Sequence, residues 1–294
     1  MHVLIVGLGG IGRLLATNLV AQGHHVTGMS RSVPTAEHTI PNVRHIAQSV
    51  HHANFNQLPL IDWVYVLLTP DARTAESYAH IFLDSLQPLL VALEHHPVQR
   101  MVFISSTSVY GSGSAKLLNH QNNKNAETIK DNTDGKDLER MSWIDESTPP
   151  QPDSPTAAVL WQAEQQWQQK WAEKLVVVRP SGIYGPNRLR LIRWVEQAKP
   201  VNYNQWTNRI HSHDLAGFLA HLISLQTLLP LYIATDNQPS LQHEVLDYIA
   251  RQRGIPVVAK LDATLSGKKL CNLKLRQSGY VLQYPSYIEG YCIE

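Results

Sequence analysis

The residues with the clearest chemical content stand at the start of the chain. Gly7-Leu8-Gly9-Gly10-Ile11-Gly12 sets its glycines in the order G-x-G-x-x-G. The first glycine permits a tight turn, the second lets backbone approach a pyrophosphate, and the third lets a helix pack closely on a strand. Such a run carries this meaning only between a strand and a helix. Val3–Val6 is a short apolar run of the kind buried on both faces of a parallel sheet. Leu14, Leu15, Leu19 and Val20 follow at helical spacing, Gly23 supplies a stop, and His25–Met29 reads as a second strand. The expected chemistry is the binding of a dinucleotide, with its phosphates at a helix N-terminus whose N–H groups and dipole favour an anion. Gly7, Gly9, Gly10, Ile11 and Gly12 are the residues expected to hold it.

The end of the second strand bears on which cofactor binds. An NAD site usually carries Asp or Glu about 20 residues past the glycines, accepting from the ribose 2′-hydroxyl. That place reads Met29-Ser30-Arg31-Ser32, and Glu37 is too far along. Arg31 can pair with a 2′-phosphate while Ser30 or Ser32 donates to it, so NADP is expected, with NAD as the alternative. Ligands of open α/β sheets lie at the carboxyl ends of strands. Leu68, Thr69, Ser105, Pro180 and Ile183 complete the expected cofactor-binding set there.

The elements that must position these residues follow an alternating rhythm. Trp63–Leu68, Met101–Ile104 and Leu175–Val178 read as strands; helical patterns cover roughly 72–95, 157–173 and 214–225. This alternation predicts a doubly wound parallel sheet. From Gly113 to about Arg140 the chain is rich in Asn, Lys, Asp and Gln, and reads as a mobile insertion leaving a strand's carboxyl end. Trp161, Trp167 and Trp171 stand near helical spacing and read as core.

Composition narrows the class. The chain has 294 residues, 43% hydrophobic and 17% charged, with a net charge of +1. These values fit a globular protein and give no global attraction to nucleic acid or an anionic membrane surface. Cys271 and Cys292 form no C-x-x-C pair, so no disulfide framework is expected and a reducing, cytoplasmic setting is. No apolar run nears the roughly 18 residues that a membrane span needs. The doublets His24-His25, His51-His52 and His95-His96 lack metal-ligand spacing, read as surface, and imply no metal.

Further along, Ile104-Ser-Ser-Thr-Ser-Val-Tyr-Gly111, Trp143-Ile-Asp-Glu146, Arg179-Pro-Ser-Gly-Ile-Tyr-Gly-Pro186 and Arg209-Ile-His-Ser-His-Asp-Leu-Ala216 stand in order. With the tail Ser266–Asn272, Gly279-Tyr280 and Tyr284–Tyr287, the chain resembles the extended short-chain dehydrogenase/reductase superfamily, the sugar-nucleotide epimerases and dehydratases. The likeness runs from residue 1 to about 290. It implies a Rossmann-type α/β fold: an NAD(P)-binding domain over 1–180 carrying the 113–140 insertion, and a small C-terminal substrate lobe over 181–294, partly interleaved with it. It also implies a homodimer.

Relatives of this kind use a Tyr-x-x-x-Lys pair on a helix, one turn apart, with a Ser or Thr at a strand end. Aligned on that pattern, Thr156 takes the Tyr position and Leu160 the Lys position, while Ser106 falls at the catalytic Ser position. The chain thus resembles atypical members that lack the dyad. Ser106, Tyr110 and Tyr184 are the candidate catalytic residues, and His211, His213 and Asp214 form a second polar group. Two functions fit. One is an NAD(P)-dependent oxidoreductase or epimerase/dehydratase-like enzyme acting on a small polar or nucleotide-linked substrate. The other is a catalytically silent NADP-binding redox regulator. An enzyme should keep a pocket beside Ser106 and Tyr184, closed by the C-terminal lobe; a regulator should expose an apolar patch there.

Overall fold

The computed structural model describes residues 1–35, 39–112, 143–202, 204–256, 260–261 and 265–292. The insertion expected at 113–140 lies outside the described residues. Seven short segments become strands: β1 (His2–Val6), β2 (His25–Ser30), β3 (Val43–Ala47), β4 (Trp63–Val66), β5 (Arg100–Ile104), β6 (Leu175–Pro180) and β7 (Leu231–Ala234). They form one sheet in the order β3-β2-β1-β4-β5-β6-β7, every pair parallel. The order reverses between β1 and β4, which opens a crevice at their carboxyl ends.

Alternate residues of each strand serve opposite faces. Val3, Ile5 and Tyr65 pack with α1 (Gly10–Ala21) and α6 (Ser212–Leu222); Leu4, Val6, Val64 and Phe103 pack toward α2 (Ala75–Phe82), α3 (Leu86–Leu93) and α4 (Pro155–Trp171). Both faces are apolar because both are covered, the reason the runs are continuous rather than alternating. Trp167 is fully buried with its ring stacked on Phe103 at 5.2 Å, a core residue as its spacing predicts. A third, smaller cluster joins Val195 of α5 (Arg190–Glu196) to Val245, Leu246 and Ile249 of α7 (Gln242–Gln252).

Two expectations need correction, and two strands carry no sequence expectation at all. The single helix expected over 72–95 is two, α2 and α3, broken at 83–85. Pro88 explains the break: it cannot donate to the carbonyl of Asp84 and its ring would collide with it, but it is tolerated in a helix's first turn. The edge strands β3 and β7 were not legible. β3 is half exposed and interleaves Arg44 and His45 with Val43 and Ile46, so it lacks the continuous apolar signature. Finally, the histidine doublets are not wholly surface: His24, His51 and His96 are half-buried, and His96 Nδ1 accepts from the Ile61 N–H at 3.2 Å.

Candidate functional site

A cleft of about 1090 Å³ opens along the carboxyl ends of β1, β4, β5 and β6. Its first wall is the glycine turn: Gly7, Gly9, Gly10, Ile11 and Gly12 all line it. Gly7 has a φ of +110°, and a Cβ there would collide with the carbonyl of Leu67 on the neighbouring chain end. A Cβ on Gly12 would strike the Gly7 carbonyl, so this glycine sets the close approach of α1 to β1. Gly9 and Gly10 differ. Nothing lies within 4 Å of where their Cβ atoms would stand. That face of the turn is bare backbone, at a helix start with no acidic residue in its first turn. A diphosphate fits there, since a side chain would fill the space and a carboxylate would oppose the charge.

Leu68, Thr69, Ser105, Pro180 and Ile183 line the same cleft, joined by Ser106 and Tyr184. Gly182–Tyr184 is carried past β6 as a short strand paired in parallel with Arg209–His211, which holds Ile183 and Tyr184 against the opening. Ser106 caps the short helix Thr107–Tyr110, its Oγ accepting from the Ser108 N–H at 3.1 Å. Ser30 and Arg31 stand at the end of β2, outside the cleft wall. The Ser30 hydroxyl donates to the Ser32 carbonyl at 2.9 Å, and the Arg31 guanidinium pairs with Asp71 at 2.6 Å.

Tyr110 does not line the cleft. It is buried, and its hydroxyl accepts from Arg179 Nη1 at 2.7 Å. Burial outweighs the guanidinium and pushes its phenol up to about 12. Arg179 in turn makes a buried pair with Glu164 of α4, Nη2 to Oε2 at 2.5 Å and Nε to Oε1 at 3.0 Å, and Ser105 donates to the same carboxylate. Trp161 lies across the guanidinium at 5.6 Å. This Ser105–Glu164–Arg179–Tyr110 network locks the strand end next to Ser106. Tyr184 lines the cleft, but its hydroxyl donates to the Ser286 carbonyl at 3.2 Å and burial raises its pKa.

On α4, Leu160 faces the cleft; Thr156 does not line it, and its hydroxyl lies 3.4 Å from that of Ser154. None of the second polar group, His211, His213 and Asp214, lines the cleft. Asp214 accepts from the backbone N–H groups of Gln283 and Tyr284 at 2.6 and 2.8 Å, anchoring the C-terminal segment. The His211 ring packs on Tyr284 at 3.8 Å, and burial pushes it down to about 4. Glu146 serves architecture too, accepting from the Ile233 N–H of β7 at 2.9 Å. Among the described residues no group of three or more His, Cys, Asp or Glu is placed to hold a metal ion, and no helix is long and apolar enough to cross a membrane.

Several residues escaped the sequence reading. The far wall of the cleft carries Arg188, Arg190 and Arg193, with Arg209 beside them and Tyr291 stacked on Tyr184 at 4.6 Å. The run Arg188-Leu-Arg-Leu-Ile-Arg193 sets three cations within six residues, but nothing in that spacing places them on a cleft. Lys268 donates to the carbonyls of Thr107 and Gly111 at 2.6 and 2.5 Å, clamping the turn that carries Ser106. Burial draws its ammonium down to about 8, against the pull of Asp153.

Asp236, just past β7, is the most perturbed acid near the cleft. It is 1% exposed, its Oδ2 has no partner, and burial, opposed by Arg209, pushes it up to about 7. A carboxyl with a raised folded pKa holds its proton longer folded than unfolded. Stability it confers is complete below about pH 4 and falls away as pH climbs to about 7. Asp236→Asn should remove that decline, read as a flatter plot of urea midpoint against pH.

The family model for the NAD dependent epimerase/dehydratase family matches residues 3–224. This chain belongs to the NAD-dependent epimerase/dehydratase family. A family protein from Methylobacillus flagellatus, described as an NAD-dependent epimerase/dehydratase, is 34% identical, with 99% of this chain and 96% of that one covered at a TM-score of 0.77. Protein YeeZ of Escherichia coli (strain K12) is 23% identical over 295 residues, 96% of each chain. A Bacillus cereus UDP-glucuronic acid 4-epimerase, solved with UDP-glucuronic acid and NAD, shares the fold at 19% identity and a TM-score of 0.75, covering 99% of this chain and 96% of its own.

Proposed function

We propose that this epimerase/dehydratase-family protein is an NADP-dependent oxidoreductase of the epimerase type, acting on a small polar molecule linked to a nucleotide. One observation carries the reading: a single cleft runs from the bare backbone at Gly9 and Gly10, past Ser106, to the cationic wall of Arg188, Arg190 and Arg193. The first end suits a dinucleotide's diphosphate and the second a substrate's, since guanidinium forks match phosphate geometry. Such a diphosphate is what the UDP-sugar of the Bacillus cereus relative presents. A dinucleotide held at Gly9 and Gly10 would place its nicotinamide between them, where it would supply reversible hydride transfer at a substrate carbon. Ser106 directs its hydroxyl to the reacting oxygen, Leu160 and Ile183 exclude water, and Arg190 and Arg193 hold the substrate's phosphates.

Proton transfer distinguishes this site from that of a dyad-bearing relative. Thr156 and Leu160 take the dyad positions, and the hydroxyls of Tyr110 and Tyr184 are both committed to structural bonds. We assign the proton to Ser106 and cleft water, which makes turnover slow. The same observation favours a second reading, an NADP-binding regulator with no turnover. Arg31 is the residue we assign to the 2′-phosphate.

The test offers UDP-linked sugars to the protein with NADP and follows reduced-nicotinamide absorbance and sugar epimers. Ser106→Ala should lower turnover by about 100-fold, the cost of one oriented donor at a reacting oxygen, with nucleotide affinity unchanged. Tight nucleotide binding with no conversion of any sugar would select the regulator. Arg31→Ala should weaken NADPH by about 10- to 100-fold, the loss of charged hydrogen bonds to a phosphate, and leave NADH as it was.

A further inference from the structure

Arg31 is not free. Its Nη1 lies 2.6 Å from Asp71 Oδ2, and both side chains are 69% exposed. The pairing is long-range. Arg31 follows β2 and Asp71 follows β4, and β1 lies between those two strands in the sheet. The pair therefore spans the end of β1, over the glycine turn where the crevice opens. Asp71 extends a run, Leu67–Pro70, that itself lines the cleft, and Arg73 two residues on lines it as well. Of the two serines expected to assist, Ser30 is also engaged: its Oγ lies 2.9 Å from the Ser32 carbonyl and 2.8 Å from His45 Nε2.

We infer that Asp71 tempers the NADP preference of this protein, by competing with a 2′-phosphate for Arg31. The inference rests on the assignment of Arg31 made above and deepens it. A 2′-phosphate and the Asp71 carboxylate seek the same planar fork of donors. The phosphate must displace Asp71 to reach the guanidinium, whereas a ribose 2′-hydroxyl has no such need. Asp71 therefore opposes NADP and leaves NAD alone. Its exposure bounds the effect, because solvated ion pairs are weak and screened by salt. Releasing Arg31 should tighten NADPH by about three- to fivefold at low ionic strength, with the gain shrinking as salt is added. Asp71 is exposed, and its substitution leaves the buried core untouched.

Tryptophan-quench titrations with NADPH and NADH, on the wild type, Asp71→Asn, Arg31→Ala and the double variant, test this directly. Asp71→Asn is expected to tighten NADPH about three- to fivefold, with NADH unmoved. The gain should vanish in the Arg31→Ala background, since the two substitutions act on one pair. Unchanged or weaker NADPH binding in Asp71→Asn, with Arg31→Ala still harmful, overturns the role of Asp71 and keeps the Arg31 assignment. A gain that persists without Arg31 also overturns it, as plain charge repulsion. Weaker NADH in Asp71→Asn would make Asp71 a ribose ligand instead. If Arg31→Ala leaves NADPH untouched, the assignment of Arg31 falls and the inference falls with it.

Discussion

Gly9→Val will abolish dinucleotide binding and leave the fold close to wild-type stability. Gly9 has ordinary extended backbone, with φ at −78° and ψ at −161°, so a β-branched residue is sterically at ease there. Nothing surrounds the position of the added Cβ. The isopropyl group would project into the one bare stretch of backbone at the start of α1, where the diphosphate is expected. Losing two or more charged hydrogen bonds costs about 3–6 kcal/mol, at least about 100-fold in affinity. The neighbouring glycines should behave in the opposite way. At Gly7 a side chain faces both a φ of +110° and the Leu67 carbonyl, and at Gly12 it faces the Gly7 carbonyl. Those variants should lose stability along with binding. Parallel nucleotide titrations and thermal melts of the three variants read the contrast. A Gly9→Val protein that binds NADPH normally would remove the diphosphate from this turn.

The largest stability effect should come from α4. Glu164 and Arg179 are 3% exposed each and satisfy one another through several hydrogen bonds. Truncating Glu164 to Ala leaves a buried guanidinium with no counter-charge, at a cost of about 3–5 kcal/mol. It also frees the Ser105 hydroxyl, next to Ser106, so turnover should fall beyond what stability alone explains. Replacing both partners, as Glu164→Leu with Arg179→Met, should recover much of the loss, since a buried ion pair contributes little over well-packed apolar groups. Urea unfolding midpoints of the single and double variants measure this. A Glu164→Ala protein as stable as wild type would mean the pair is open to water.

How legible was this in the sequence? The glycine turn, β1, β2 and the strands at 101–104 and 175–178 announce themselves because a sheet covered on both faces demands continuous apolar runs. β3 and β7 do not, since edge strands are less buried or shorter and their signal merges with loops. Leu68, Thr69, Ser105, Pro180 and Ile183 gather on one cleft, while Ser30 and Arg31, also at a strand end, stand outside its wall. Tyr110 does not line it, because its motif fixes only a strand and a turn, and the direction of the ring depends on Arg179, 69 residues away. The arginine wall and Lys268 were equally hidden. Both act through long-range placement that local spacing does not encode. Asp71 is the plainest case: its meaning comes only from β4 lying two strands from β2 in the sheet.

The measurement that bears most directly on the central claim is a titration of the wild-type protein with NADPH and NADH side by side. Saturable binding of both is expected below about millimolar concentration, with NADPH the tighter even while Asp71 competes for Arg31. Failure of both nucleotides to bind in that range would contradict that claim and leave the glycine turn a structural relic.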